Sequence, residues 1–141
     1  MIESIIEKYD KISGFVAQEN SEVEKFFEED LNCEYVPNGV KEFYKKYDGC
    51  RLSINDIFSL KQIEKSLNEF FPTFLVGMGI DGNVYKYVPI ADDGMGGYYV
   101  FLSNKEEEKV YYLDHEFPDE PVIYDTFEDF LDDILSMDSD L

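Results

Sequence analysis

The stretch Tyr85–His115, reading YKYVPIADDGMGGYYVFLSNKEEEKVYYLDH, restricts the folds open to this chain more than any other. It holds three runs rich in Val, Tyr, Phe and Leu: Tyr85–Ala91, Gly97–Ser103 and Lys109–His115. Each is bounded by turn chemistry, so each predicts a β-strand. The first turn, Asp92-Asp93-Gly94-Met95-Gly96-Gly97, combines glycines that accept positive φ with Asp side chains that bond the backbone locally. The second, Asn104-Lys105-Glu106-Glu107-Glu108, is too charged to bury. Two successive hairpins make a meander, and a meander needs other elements to cover its apolar face.

The flanking segments supply that cover. Ile2, Ile5, Ile6, Tyr9 and Ile12 recur at helical spacing, with Ser13-Gly14 as a stop. Ser21 and Glu24 have capping-box spacing ahead of Val23, Phe26, Phe27 and Leu31. Pro37 opens a third helix, with Val40, Phe43, Tyr44 and Tyr47 on its buried side and Gly49 as its left-handed end. Arg51–Ile54 reads as a short strand. Ser59 and Gln62 cap a helix carrying Leu60, Ile63, Leu67, Phe70 and Phe71.

Phe74–Met78 reads as a buried strand, followed by a hairpin turn at Asp81-Gly82-Asn83. After the meander, Pro118 and Pro121 break the chain, and Val122–Tyr124 forms a last edge strand. Thr126 caps a final helix with Phe127, Phe130, Leu131, Ile134 and Leu135 inside and Glu128, Asp129, Asp132 and Asp133 outside. The tail Met137–Leu141 is expected to fray. These elements predict one α+β domain over residues 1–141, a central mostly antiparallel sheet packed by N-terminal helices and a C-terminal helix.

Charge sets the surface. Residues 1–90 carry 16 acids and 10 bases, a net −6, whereas residues 91–141 carry 16 acids and 2 bases, a net −14. A surface this negative repels nucleic acid and anionic membrane and steers basic proteins toward itself; it also serves plain solubility. The 12 Phe and 11 Tyr argue for a folded chain. No apolar run reaches membrane-spanning length, the acidic start is unlike a signal peptide, and Cys33 and Cys50 make neither a disulfide framework nor a zinc site. These features predict a cytoplasmic protein with reduced thiols.

The motifs of catalysis fail one by one. A calcium loop starting at Asp81 would need Gly and Glu where Lys86 and Asp92 stand, and one starting at Asp92 would put Gly94 and Gly96 at ligand positions. Gly94, Gly96 and Gly97 lack the Lys-Ser/Thr and helix of a phosphate loop. His115 stands among carboxylates, Asp114 and Glu116, as a general base would, yet no nucleophile motif such as G-x-S-x-G accompanies it, and a structural role fits it better. With 32 acidic residues, close carboxylate pairs arise by chance. The expectation is no enzyme, no metal and no cofactor. Tyr98 and Tyr99 point to opposite sheet faces by alternation, and an exposed Tyr beside acids makes a good interface anchor.

Three segments resemble the SUKH superfamily, which includes cell-wall-assembly regulator-like proteins and many bacterial immunity proteins. The first is Val36-Pro37 through Phe43, Tyr47, Asp48 and Gly49. The second is Pro89–Gly94 with Gly97–Tyr99 and Lys109–Glu116. The third is Tyr124–Leu131. Together they cover about residues 21–136. Val36 stands where the family has Leu, Asp48 where it has Asn, and Trp is absent. The resemblance implies an α+β fold without catalytic residues and a role as an immunity protein for a toxin, often a nuclease; the alternative within the superfamily is a regulatory or scaffold module. A nuclease is basic where it grips phosphate, so an acidic partner suits it. Charge and loop position select Asp92, Asp93, Tyr98, Asp114, Glu116, Asp119 and Glu120 as the partner-binding set.

Overall fold

A computed structural model describes residues 1–116 and 121–140. Seven strands form one sheet: β1 (Phe15–Ala17), β2 (Tyr47–Arg51), β3 (Asp56–Ile57), β4 (Tyr87–Asp92), β5 (Tyr98–Leu102), β6 (Val110–Leu113) and β7 (Val122–Tyr124). They lie in sequence order, and each pairs antiparallel with the next. The expected three-stranded meander is thus the centre of a longer one. Pro89 sits in central β4, where it cannot donate to a ladder, and the β4–β5 register shifts between Pro89 and Ala91 to accommodate it.

Strand alternation divides the core in two. Val88, Ile90, Tyr99, Phe101 and Val110 face one way, against helices α1 (Ile2–Lys8), α3 (Asn38–Lys46) and α6 (Phe127–Ser139). There Phe43, Tyr44, Phe127 and Phe130 are almost wholly buried, each contributing about 1.5–3 kcal/mol by leaving water. Val100 and Leu113 face the other way, with Tyr98 and Tyr111 beside them, and pack on Phe71 and Leu75 of α5 (Phe71–Met78). The sheet is therefore covered on both sides.

Helix α5 overturns a strand expectation. Phe74–Met78 is helical, because α4 (Leu60–Lys65) does not stop at Pro72 but passes through a π-helical turn at Ser66–Phe70 and resumes. Pro72 then occupies the first turn of renewed helix, where its missing N–H does little harm. Residues 70–80 contain no charge, so the run offers no polar face by which to tell a helix from a strand. Gly79, at φ +73°, closes α5, and Asp81-Gly82-Asn83 links that helix to β4 rather than joining two strands.

The other corrections are local. Ser21 makes no capping box; Asn20 Oδ1 instead accepts from the Glu22 amide before α2 (Val23–Lys25), which continues as a π-helix over Phe26–Asp30. Pro37 precedes α3 as its N-cap residue. Gly49 does have positive φ, +88°, but within β2, where a Cβ would meet the Ile57 carbonyl oxygen at 2.6 Å. Leu52–Ile54 is not strand, and β1 was not expected. Helix α1 ends at Lys8 rather than near residue 12. Helix α6 continues through Met137 to Ser139; Leu141 lies outside the described residues. The caps at Ser59 and Thr126 are as expected, with Gln62 and Asp129 amides donating to the two hydroxyls at 3.1 Å.

Candidate interface

The β4–β5 turn and the end of β6 meet at one end of the sheet. Tyr98 lies opposite Leu113, and a Cβ on Gly96 would approach the His115 ring to 3.3 Å. This brings Asp92, Asp93, Tyr98, Asp114 and Glu116 into one region, while Asp119 and Glu120 lie outside the described residues. Among the described residues no Lys or Arg pairs with any acid between Asp81 and Glu116, whereas Lys8, Lys25, Lys45 and Lys46 all pair elsewhere.

The five residues play different parts. Asp93 is only 8% exposed. Its Oδ1 accepts from the Met95 and Gly97 amides, both at 2.8 Å, and its Oδ2 accepts from the Tyr112 hydroxyl. Burial works against ionisation, but these donors outweigh it and hold the carboxyl below its usual range. Asp93 is the keystone of its own turn. Gly97 is required beside it, since a Cβ there would stand 2.5 Å from Asp93 Oδ2. Asp114 Oδ1 accepts from the Glu116 amide at 2.9 Å, and the Glu116 side chain is exposed.

Asp92 faces the opposite side of the sheet from Asp93. It is opposite Asp56 on β3 and Tyr98 on β5. Burial and then the Asp56 charge raise its pKa, the reverse of its neighbour. Tyr98 is half-buried, wedged edge-on to Phe71 and Phe74 at 5.3 and 4.8 Å between ring centroids. Tyr99, on the other face, stacks on Tyr112. Alternation thus separates the pair, with neither fully exposed. Beside Asp92 and Tyr98 a cleft of about 270 Å³ opens toward Phe58, Ser66 and Phe70. Phe58 and Ser66 were not singled out by the sequence, and Phe70 only as part of a helix stripe, because only the tertiary fold brings α4 and its π-turn against β4.

Groups suited to nucleophilic chemistry are poorly placed. Cys33 and Cys50 are buried and unpaired, and burial pushes both thiols up to about 12. His115 is half-exposed with Nδ1 3.8 Å from Asp114 Oδ1. Among the described residues no three His, Cys, Asp or Glu side chains are grouped to hold a metal ion, and no helix is long and apolar enough to cross a membrane.

The model of the SMI1 / KNR4 family (SUKH-1) matches residues 20–133 of the 141. No curated protein and no solved structure matches the chain.

Proposed function

The chain belongs to the SMI1 / KNR4 family (SUKH-1), and from that premise we propose that it is an immunity protein that neutralises a cognate bacterial toxin by binding it. The family supports an immunity-type or protein-interaction role and is generally non-catalytic. The observation that carries the finer reading is the charge of −14 in residues 91–141, combined with carboxylates at Asp92, Asp114 and Glu116 that have no Lys or Arg partner among the described residues. A cationic protein surface is what such an array attracts. A nuclease domain, basic where it holds a phosphate backbone, has that character. The proposed contact set is Asp92, Tyr98, Asp114 and Glu116, with Asp119 and Glu120 as further acids; Asp93 supports them by holding the turn. The chain acts in the cytoplasm, without contacting nucleic acid or membrane itself.

Co-expression with a toxin-like C-terminal domain encoded beside this gene tests the reading. Survival of cells with this chain and death without it, together with a complex that weakens as salt rises, is the expected result. A complex with a partner that is harmless when expressed alone would favour a regulatory or scaffold module. Rescue by a complex insensitive to salt would keep immunity and discard the electrostatic contact.

A further inference from the structure

The cleft beside Asp92 has the furnishings of a receptor for one side chain. Ser66 is 5% exposed, and among the described residues its Oγ has no hydrogen-bond partner. It lies close enough to the Tyr98 hydroxyl to offset part of the rise that burial imposes on that group, yet completes no bond of ordinary geometry with it. Asp92 contributes a half-buried carboxylate that no cation among the described residues pairs with. Phe58 and Tyr98 form one aromatic wall, with rings 6.4 Å apart, and Phe70 the other, 57% exposed. Lys65 at the rim sets its ammonium over the Phe70 ring, 6.0 Å from the centroid, and does not pair with Asp92.

A buried oxygen without a donor, a carboxylate without a cation and flanking aromatic faces all ask for the same occupant. It must bring several N–H donors, a positive charge and a flat or apolar body. Resting on the protein-binding reading above, we infer that this cleft receives an arginine side chain of the partner protein. The guanidinium donates to Asp92 and to the Ser66 and Tyr98 oxygens, while its plane and stem lie against Phe70 and Phe58. At about 270 Å³ the space falls below the roughly 300 Å³ at which small-molecule pockets begin, and it suits one long side chain. An acidic surface raises the rate at which a basic partner arrives; a cleft of this kind selects which residue docks.

The test needs no partner. Nitrogen-15 amide spectra of the whole chain are recorded at physiological salt while N-acetyl-arginine-methylamide is added, with the equivalent citrulline derivative as a neutral isostere. Saturable shifts centred on Ser66, Phe70, Asp92 and Tyr98 are expected, at least tenfold weaker with citrulline. Asp92→Asn should abolish them in a protein that keeps its fold, and Phe70→Ala should weaken them severalfold. Equal response to citrulline, or shifts spread evenly along the acids of α6, would overturn the inference. Because no toxin is present, a negative titration removes the arginine cleft alone, whereas failed rescue in co-expression removes the immunity reading alone.

Discussion

The Tyr112 hydroxyl on β6 donates to Asp93 Oδ2, tying the turn between β4 and β5 to the third strand of the central meander. Asp93 also gathers the Met95 and Gly97 amides, so one carboxylate organises the turn between β4 and β5 and its neighbour strand. Tyr112→Phe leaves that buried carboxylate one donor short, and should cost about 1–3 kcal/mol. Urea unfolding at neutral pH checks it. The folded pKa of Asp93 lies below the ordinary 3.8, so its contribution is complete above that value and disappears as pH falls through the lower folded value. Wild type should therefore lose more stability than Asp93→Asn as pH is lowered from about 4 through that window. Parallel acid profiles would refute the argument.

Asp92 should behave in the opposite sense. Its folded pKa is raised by burial and by Asp56, so ionisation opposes folding above pH 3.8. Asp92→Asn is expected to raise Tm at pH 7, with the gain vanishing in acid, where the wild-type carboxyl is protonated. Two adjacent aspartates, substituted identically, thus shift stability in opposite directions at neutral pH. Differential scanning calorimetry of both variants measures it directly.

Tyrosines also take over work that bases do elsewhere. Tyr9, Tyr35, Tyr111 and Tyr124 donate to Asp132, Glu108, Glu107 and Asp133 respectively. In a chain with 32 acids and 12 bases, phenols give carboxylates a partner without adding charge. The bond to Glu108 lifts Tyr35 to about 12, and burial followed by the carboxylate bonds lifts Tyr111 and Tyr124. A raised folded pKa stabilises fully below about 10 and is lost as pH rises through the folded value. Stability should therefore hold to about pH 10 and then fall, with tyrosinate absorbance rising as a late step that coincides with unfolding by circular dichroism. A gradual titration of most tyrosines before unfolding would contradict this.

The sheet from β4 to β7 and helix α6 were legible because their signals are local. Alternation with period two, Gly-Asp turns and the Thr126 cap each act within a few residues. Phe74–Met78 was misread because an uncharged run carries no polar contrast even where Val76 faces solvent, and Pro72 looked like an end until the π-turn before it made room. The same non-locality hid half of the cleft. Asp92 and Tyr98 advertised themselves by charge and alternation, whereas Ser66 is an ordinary mid-helix serine until α4 and its π-turn are laid against β4. Asp93 looked the same as Asp92 in sequence and differs only in which face of the sheet it serves.

The two serine caps proposed from spacing alone separate cleanly. At Ser59 the hydroxyl accepts from the Gln62 amide and Gln62 Oε1 accepts in return from the Ser59 amide at 2.8 Å. Ser21 makes no such bond: the N-cap residue of α2 is Glu22, without a side-chain cap, and Asn20 Oδ1 accepts from the Glu22 amide in the turn before it. Ser59→Ala should cost about 0.5–2 kcal/mol and Ser21→Ala close to nothing. Chemical denaturation of the two variants discriminates them.

Association kinetics bear most directly on the acidic interface. At physiological salt, charges act over about 8 Å, so acids near the contact govern encounter far more than acids elsewhere. Neutralising Asp92, Asp114 and Glu116 together should slow association with the proposed partner about tenfold or more at low salt and flatten its salt dependence. Asp93 is left intact in this variant, because its loss would unmake the turn that presents the others. A control that neutralises Glu28, Glu29 and Asp30 removes the same charge from the exposed π-helical turn after α2. If the two triple variants slow association equally, net charge alone is at work and the contact surface is not at this end of the sheet. A selective loss in the first variant, measured by stopped-flow mixing across a salt series, would tie the function to the β4–β5 turn.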